Sequence, residues 1–319
     1  MCAGPQGATE SMQLEVHERA TDICCEHLQR LLWGIRMQWC DGFSRREVLA
    51  GLGLLSLAPA SRSVQASAHG SRASELVDDE TFDEFMRMRT APDLAPVIWV
   101  YAGVLVVKPA GEVARPVARI NGLSRSRAKS TTDGSWLWEL DEAGYYCDPQ
   151  DGRPARALTN PFTGKTVEPR HYRSPQALIF SKQGITPARA MPAGVEFRGE
   201  ITKLADIAGT TALTEDLYVK LPGREASEDA PARPARYAAS LATFTTRTAQ
   251  FSRPRSEWID CQFNYTTLNS FVEWLGMQGQ EGVQDMRIVG IKCRIDETTA
   301  VPPWLLERVR TDHPDLLSK

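Results

Sequence analysis

The chain has 319 residues, of which 42 % are hydrophobic and 24 % charged, as in ordinary globular proteins. Its formal net charge is −3 and its pI is about 6.0, which argues against a nucleic-acid partner. Beyond the N-terminal region no apolar run is long enough for a membrane helix, so we expect no permanent membrane anchor.

The N-terminal region has the three parts of an export signal in the correct order. Arg45 and Arg46 place positive charge before an apolar run, residues 49–60, that is too short to span a bilayer. Ala66-Ser67-Ala68 supplies the small residues at which a signal peptidase cuts. The pattern resembles a twin-arginine (Tat) signal, so we predict export of the folded protein by the twin-arginine translocase, cleavage after Ala68, and a periplasmic or secreted product. The alternative is a chance arginine pair before a buried helix.

Translation from Met37 would give an n-region of ordinary length, so the residues before it are a leader extension or the product of a misassigned start. Apolar residues at helical spacing within 14–33 leave a small helix there as the alternative. We expect, in chain order, a leader extension (1–36), a signal peptide (37–68), a linker (69–78) and a single β-rich domain (79–319).

The β-rich domain is predicted to begin and end with a helix. Residues 78–89 begin with acidic residues and place phenylalanines, a methionine and Arg89 at helical spacing. A second helix follows Pro302-Pro303, because proline is tolerated in a first turn. Between the helices, β-branched, aromatic and polar residues predict strands at 97–107, 135–146 (with a turn at 142–144), 177–181, 195–204, 217–221, 237–246, 258–266 and 286–295, and a polar loop at 222–235.

These elements predict a mainly β fold, that is, α+β with few helices. Many short strands argue for an antiparallel sheet that is closed or partly closed into a barrel-like, calycin-like fold. The short helices are expected near both ends of the mature domain.

The domain lacks the residue patterns of metal and cofactor sites. Of its few histidines only His171 lies in a strand-like run, so a His-rich metal centre is excluded. No P-loop, G-x-S-x-G elbow or dinucleotide motif occurs, and we predict no cofactor and no metal. Cys147, Cys261 and Cys293 form no CxxC pair, and they are either three buried free thiols or include a disulfide between the latter two.

The candidate catalytic residues flank a turn at 160–165. If the strand of Tyr145 pairs with that of His171 across this turn, tyrosine, histidine and a carboxylate such as Glu139 meet in a barrel mouth, with Trp138 on the face opposite to Glu139. We predict His171, Glu139 and Tyr145 as catalytic residues for general acid–base chemistry. The alternatives are a structural histidine bonded to the backbone and a carboxylate that caps backbone N–H groups.

The predicted ligand-binding residues are of the types that line barrel cavities: Trp138, Arg119, Asn160, Trp258 and Trp274. Arg119 belongs to a row of alternating arginines that presents a cationic face to a carboxylated ligand or is simply a solvated strand face. The tryptophans are also typical of a core, and Asn160 begins an Asn-Pro-Phe-Thr-Gly sequence that a tight hairpin explains.

This Asn-Pro-Phe-Thr-Gly sequence, preceded by Tyr145-Tyr146-Cys147-Asp148-Pro149 and followed by Val167 and His171, resembles the family called domain of unknown function 1838 (DUF1838). The resemblance covers most of residues 80–315 and includes the order and spacing of Trp258, Trp274, Met277, Gly282 and Pro302-Pro303-Trp304. Many members carry twin-arginine leaders, in agreement with the export signal. The chain departs from the family pattern at 173–176 and 275–277, which implies that a pocket lined by those positions differs here.

The resemblance implies no activity, because that of the family is unknown. Three functions stay open. The first is an exported barrel that binds a small apolar or carboxylated ligand in an internal cavity. The second is a cofactor-independent enzyme of the isomerase, lyase or cyclase type, and the third is a structural or interaction module with a filled core. An internal cavity lined by polar candidates favours the first two.

Overall fold

The structure is a computed structural model, in which residues 77–223 and 235–318 are described. The predicted leader extension, signal peptide and cleavage site lie outside the described residues, together with Arg45, Arg46, Ala66 and Ala68. Most of the predicted loop 222–235 lies outside them as well.

Most of the described chain is β-structure, with one α-helix before the strands and one after them. The elements are α1 (Asp79–Arg89), β1 (Val97–Pro109), β2 (Arg115–Ser130), β3 (Trp136–Cys147), β4 (Leu158–Thr159), β5 (Thr166–Val167), β6 (Tyr172–Ser181), β7 (Gly184–Pro187), β8 (Glu196–Ile207), β9 (Thr210–Leu221), β10 (Arg236–Arg247), β11 (Gln262–Asn269), β12 (Gly282–Arg294) and α2 (Pro303–Asp312). The predicted mainly β fold and both predicted helices are confirmed.

The sheet is antiparallel and nearly closed into a barrel, as predicted. Ten strands pair in the order β7-β6-β3-β2-β1-β12-β11-β10-β9-β8. The two edge strands approach each other, because Ile185 of β7 lies so near Gly199 of β8 that a Cβ added to the glycine would be 2.7 Å from the isoleucine Cβ. The short strands β4 and β5 form a separate hairpin.

Alternation along each strand separates an inner face of the barrel from an outer face. On β1, Trp99 and Tyr101 point into the barrel and line its interior. Ile98 and Val100 point outward and pack in a second cluster with Leu305 of α2. The chain therefore has one core inside the barrel and another between its outer face and α2.

Helix α1 packs into the interior core at one end of the barrel. The Asp78 carboxylate caps the helix by accepting a hydrogen bond from the Thr81 N–H group at 2.7 Å. Phe85 and Met88 are completely buried in the interior core. Ion pairs tie the polar side of α1 to residues of the sheet: Lys182 with Asp79 at 2.6 Å, and Lys203 with Glu84 at 2.9 Å. This arrangement leaves Arg89, the last residue of α1, inside the barrel.

The predicted turn at 142–144 is wrong, because β3 runs through it without interruption. Gly144 pairs with Gly122 of β2 and with Tyr172 of β6 in the middle of the sheet. The predicted hairpin at the Asn-Pro-Phe-Thr-Gly sequence is confirmed by the pairing of β4 with β5. The strands on either side of this hairpin, β3 and β6, pair with each other, which is the condition on which the predicted catalytic site depends.

Candidate ligand-binding site in the barrel interior

An internal cavity of about 100 Å³ lies among the strands of the barrel, beside the end of α1. Its apolar lining consists of Trp99, Trp138, Leu140, Leu217, Ala242, Phe244, Phe263 and Ile288. Its polar lining consists of Arg89, Tyr101, Ser124, Glu142, Gln176, Glu215 and Tyr265. Because Gln176 is also solvent-exposed, the cavity reaches the surface at this residue.

A buried ion pair forms part of the cavity wall. Arg89 of α1 is 2 % exposed and pairs with Glu215 of β9. The guanidinium carbon lies 4.0 Å from the ring centroid of Trp138 and 4.6 Å from that of Phe244, which are cation–π distances. Burial lowers the pKa of Arg89 and the charge of Glu215 raises it, but an arginine stays protonated in a protein. This part of the wall is therefore a neutral, desolvated pair enclosed by aromatic rings.

Two N–H donors of the same wall have no hydrogen-bond partner among the described residues. They are the Nε of Arg89 and the Nε1 of Trp138. A buried donor without a partner costs about 1–3 kcal/mol, and native proteins contain few such groups. The wall therefore has hydrogen-bonding capacity that the described protein groups do not use.

A row of tyrosines and glycines forms the second polar cluster. Tyr101 pairs with Gly122, Gly122 with Gly144, and Gly144 with Tyr172, so four neighbouring strands contribute to one row. Each tyrosine ring lies over its paired glycine, because a Cβ added to either glycine would overlap the ring. The two rings thus reach toward each other, and their hydroxyl oxygens meet 3.1 Å apart.

Glu142 joins this hydroxyl pair from the neighbouring inward position on β3. Burial raises the pKa of its carboxyl group, although hydrogen bonds from Tyr101 and Tyr172 act in the opposite direction. Burial and the nearby Glu142 raise the pKa of both tyrosines well above the usual value, so both phenols stay protonated near neutral pH. The cluster therefore combines one group able to exchange a proton with two that act as neutral hydrogen-bonding groups.

Two of the predicted catalytic residues, Tyr145 and His171, lie together on the outer face of the barrel. Their ring centroids are 5.4 Å apart. The Tyr145 hydroxyl donates to Oδ2 of Asp312 in α2 at 3.2 Å, and Nδ1 of His171 accepts from the Tyr146 N–H group at 3.2 Å. Burial and the Arg308 charge lower the pKa of His171. These contacts join α2 to the barrel and lie away from the internal cavity.

The third predicted catalytic residue, Glu139, is not brought together with His171. It is exposed on the outer face of β3, on the side opposite to Trp138, as its position in the alternation predicts. The predicted ligand residue Arg119 is also exposed on the outer face, and it pairs across the sheet with Cys147. Of the predicted ligand residues, Trp138 is the one that lines the internal cavity.

The other predicted ligand residues have structural contacts elsewhere. Asn160 is completely buried, and its amide donates to the Leu275 carbonyl at 2.9 Å while its oxygen accepts from the Phe162 N–H group at 2.9 Å. Trp258 lies beneath the Lys292 ammonium group at 4.2 Å. Trp274 packs against Tyr146 with a centroid distance of 4.9 Å.

The cysteines Cys147, Cys261 and Cys293 are buried free thiols, which is one of the two alternatives that the sequence left open. Cys261 packs in the interior core, whereas Cys293 packs in the outer core under α2. Because the two side chains lie on opposite faces of the sheet, they do not approach to the distance that a disulfide requires.

A larger groove of about 470 Å³ lies on the outside of β2, β3 and β6. Its charged residues are Arg125, Arg127, Glu139, Asp141 and Arg189. Most of these side chains are exposed, so water screens their charges and solvates any ligand. The internal cavity is the better candidate site, because its ionisable groups are desolvated and act on a ligand more strongly.

The residues that matter most in the interior were missed by sequence reasoning: Arg89, Tyr101, Glu142, Tyr172 and Glu215. A signal existed for some of them. Gly122 and Gly144 stand within strand-like runs, and glycine in a strand often marks the close approach of another group. Arg89 also shares a helical stripe with the apolar residues of α1, which places it on the buried side.

Among residues 77–223 and 235–318, no group of three or more His, Cys, Asp or Glu side chains is arranged to hold a metal ion. The helices in this part of the chain are too short or too polar to cross a membrane.

Fold and site together define a nearly closed antiparallel β-barrel with a cavity that is aromatic on one part of its wall and ionisable on another. The family described as "Protein of unknown function (DUF1838)" matches residues 96–318, and the chain belongs to this family. The assignment predicted from the sequence motifs is thus confirmed. Gln176, which belongs to the predicted departure from the family pattern at 173–176, lines the cavity.

No curated protein matches the chain. Among solved structures, the crystal structure of MucB in complex with MucA(peri) is 12 % identical, covers 72 % of this chain and 96 % of its own, and has a TM-score of 0.11. The complex structure of Pseudomonas aeruginosa MucA/MucB is 11 % identical with the same coverage, 72 % and 96 %, and has a TM-score of 0.08. TM-scores this low do not define a shared fold.

Proposed function

We propose that this protein is an exported barrel that binds a small ligand in its internal cavity. The observation that carries the proposal is the buried Arg89–Glu215 pair beside a space that protein atoms leave empty. Replacing a buried ion pair by packed apolar residues is often neutral or stabilising, so stability alone does not account for such a pair. A role in ligand binding does account for the pair, because buried charges and unpaired N–H donors hold the polar groups of a ligand in a fixed orientation.

The size of the cavity limits the ligand. A dry cavity of about 150 Å³ accommodates benzene, whereas drug-sized ligands occupy about 300–1,000 Å³. The space of about 100 Å³ is smaller than that cavity and therefore suits a ligand smaller than benzene, such as a short branched group, or one end of a longer molecule that leaves past Gln176. The rings of Trp99, Phe244 and Phe263 suit an apolar ligand body.

Native mass spectrometry of the protein purified from the periplasm tests this proposal. The wild type is expected to retain a non-covalent ligand. Ala242→Phe fills the cavity from β10 and is expected to abolish retention, whereas Ala239→Phe on the outer face of the same strand keeps it. A wild type that emerges empty, or an Ala242→Phe variant that keeps the ligand, would overturn the proposal.

An acid–base enzyme of the same architecture is the second candidate, and the Glu142 cluster favours it. A general base or acid works best when its pKa lies near the working pH. Burial raises the pKa of the Glu142 carboxyl group, which is a change toward neutral pH. In an isomerisation Glu142 would take a proton from one carbon of the ligand and return it to another. Turnover of a retained ligand that Glu142→Gln abolishes would support this function, and turnover that persists in the variant would exclude Glu142.

We also propose that the chain reaches the periplasm or the outside through the twin-arginine translocase. The support is the order of arginine pair, apolar run and cleavage site in the sequence. Arg45→Lys combined with Arg46→Lys is expected to leave the precursor in the cytoplasm. N-terminal sequencing of the exported wild type is expected to begin after Ala68, and unchanged secretion of the double variant would exclude this route.

A further inference from the structure

The internal cavity and the outer groove meet at the same pair of residues. Leu140 of β3 and Gln176 of β6 pair in register, and both belong to the lining of the cavity and to the lining of the groove. The edge of β6 is open here, because β7 pairs with residues 178–181 and, in the described sheet, no strand pairs with residues 172–176 on that side. A ligand longer than the cavity therefore has an exit past Gln176 that leads to the groove.

The groove is lined by apolar groups and by charges of both signs. Its apolar lining consists of Leu140, Pro175, Ala177, Pro187, Ala190 and Met191. Its two carboxylates differ in their contacts. Asp141 accepts a hydrogen bond from Nε of Arg173 at 3.0 Å, so its charge is compensated. Glu139 has no hydrogen-bond or ion-pair partner among the described residues and is the carboxylate of this lining whose charge stays uncompensated.

The arginines of the groove outnumber this one carboxylate. Arg127 and Arg189 make no hydrogen bond or ion pair with any described group. Arg125 donates to the backbone carbonyl of Asp315 at 3.0 Å, a contact that leaves the charge of the guanidinium uncompensated. The groove therefore has an excess of positive charge, which suits a ligand with a negatively charged end.

The barrel interior suits the opposite end of such a ligand. The one guanidinium in the cavity lining, that of Arg89, is already paired with Glu215, and a second carboxyl group, Glu142, faces the same space. A negatively charged group there would be desolvated without a free cation to compensate it. An apolar end instead meets the aromatic part of the wall.

We propose that the cavity and the groove form one site for an amphipathic carboxylate, with its apolar end in the barrel and its carboxylate at Arg127 and Arg189. This inference rests on the proposed ligand-binding function and specifies the class of ligand. A guanidinium binds a carboxylate well, because its N–H donors match the two carboxylate oxygens in geometry. A single negative charge fits this groove better than a double one, since Glu139 repels any anion there.

Binding of two ligands with the same hydrocarbon chain tests the inference. Decanoate has the carboxylate, and decanol has a neutral hydroxyl group at the same end. Isothermal titration calorimetry near neutral pH compares their dissociation constants. Exposed ion pairs are weak, so the two arginines are expected to give roughly a two- to tenfold preference for decanoate. High salt should reduce this preference, because it screens exposed charges, and should not weaken the binding of decanol.

Variants locate the two ends of the ligand. Arg127→Gln combined with Arg189→Gln is expected to remove the preference for decanoate and to leave decanol binding unchanged. Glu139→Gln removes the opposing charge and should increase the preference. Arg247→Gln, at an exposed position outside the groove, is the matched control and should have no effect. Ala242→Phe fills the cavity and should abolish the binding of both ligands. Near-UV circular dichroism verifies the fold of each variant.

The outcomes distinguish this inference from the proposed function. Equal binding of decanoate and decanol, or a preference that survives in the double arginine variant, would overturn the assignment of the carboxylate and leave the binding barrel intact. Binding of decanoate that persists in Ala242→Phe would show that the groove binds alone and would overturn the single site. Binding of neither ligand would overturn the inference, whereas the ligand retained in native mass spectrometry decides the proposed function independently.

Discussion

Replacing Arg89 by methionine removes one member of the buried ion pair while leaving an unbranched apolar side chain in place of the arginine stem. Glu215, with 9 % of its side chain exposed, then loses its partner in the barrel interior. Removal of one partner of a buried pair costs about 3–5 kcal/mol, because it leaves an uncompensated charge in a medium that solvates it poorly. For a domain of this size a loss of 1 kcal/mol lowers Tm by roughly 2–4 °C, so we expect a decrease of roughly 6–20 °C.

The assay is equilibrium urea unfolding near neutral pH, followed by tryptophan fluorescence and by circular dichroism. Arg89→Met combined with Glu215→Leu removes both charges, and we expect its free energy of unfolding to return to within about 1 kcal/mol of the wild type or to exceed it. Arg247→Met, at an exposed position of β10, is the matched control and should change stability by less than about 0.5 kcal/mol.

Two results would refute the reasoning. An Arg89→Met variant as stable as the wild type would show that Glu215 is readily neutralised or hydrated. A double variant as unstable as the single one would show that packing of the arginine stem against the aromatic rings, rather than charge, dominates. A double variant that is stable but no longer retains ligand would support the view that the pair serves recognition.

Three further outcomes follow from the structure. Gly144→Ala should destabilise by about 1–3 kcal/mol in urea unfolding, because its Cβ would overlap the Tyr172 ring, and an unaffected variant would contradict the described packing. Asn160→Ala should cost about 1–3 kcal/mol by the same assay, since it leaves buried backbone groups without partners, and a neutral effect would show that water replaces the amide. The folded-state pKa of His171 lies below the ordinary 6.5, so the unfolded chain binds more protons in that window. The free energy of unfolding should therefore be highest above about pH 6.5 and decrease as the pH falls below it. His171→Asn should flatten this part of the profile of Tm against pH. An identical profile in the variant would exclude a role for the histidine.

The pattern of the sequence was sufficient for the class of fold and for several elements. Acidic residues followed by apolar ones at helical spacing define α1, and proline in the first turn defines α2. Alternation on β3 correctly separates Trp138 from Glu139, because successive strand residues must point to opposite faces. Alternation does not reveal which of the two faces becomes the interior, since both faces of β3 are partly apolar.

Which face of β3 becomes the interior of the barrel determines whether a predicted site residue lies at the cavity or on the outer face. Tyr145 lies on the outer face of β3 because α2 covers it, and α2 is far away in sequence. Glu142, three residues earlier, faces the interior because its strand is closed into the barrel. The glycine led to the prediction of a turn at 142–144, whereas in the sheet Gly144 leaves room for the ring of Tyr172 on β6.

By itself the sequence determined the mainly β class, the two helices, the Asn-Pro-Phe-Thr-Gly hairpin and the family, because these depend on local propensities and on motifs within short segments. Only the tertiary structure decided that Arg89 and Glu215 meet, and that Tyr101 and Glu142 line one cavity while Tyr172 contacts the Tyr101 hydroxyl. These residues come from α1 and from distant strands, and their contacts depend on the order and register in which the sheet closes. Strand order and register are set by the simultaneous packing of all strands and not by any one segment.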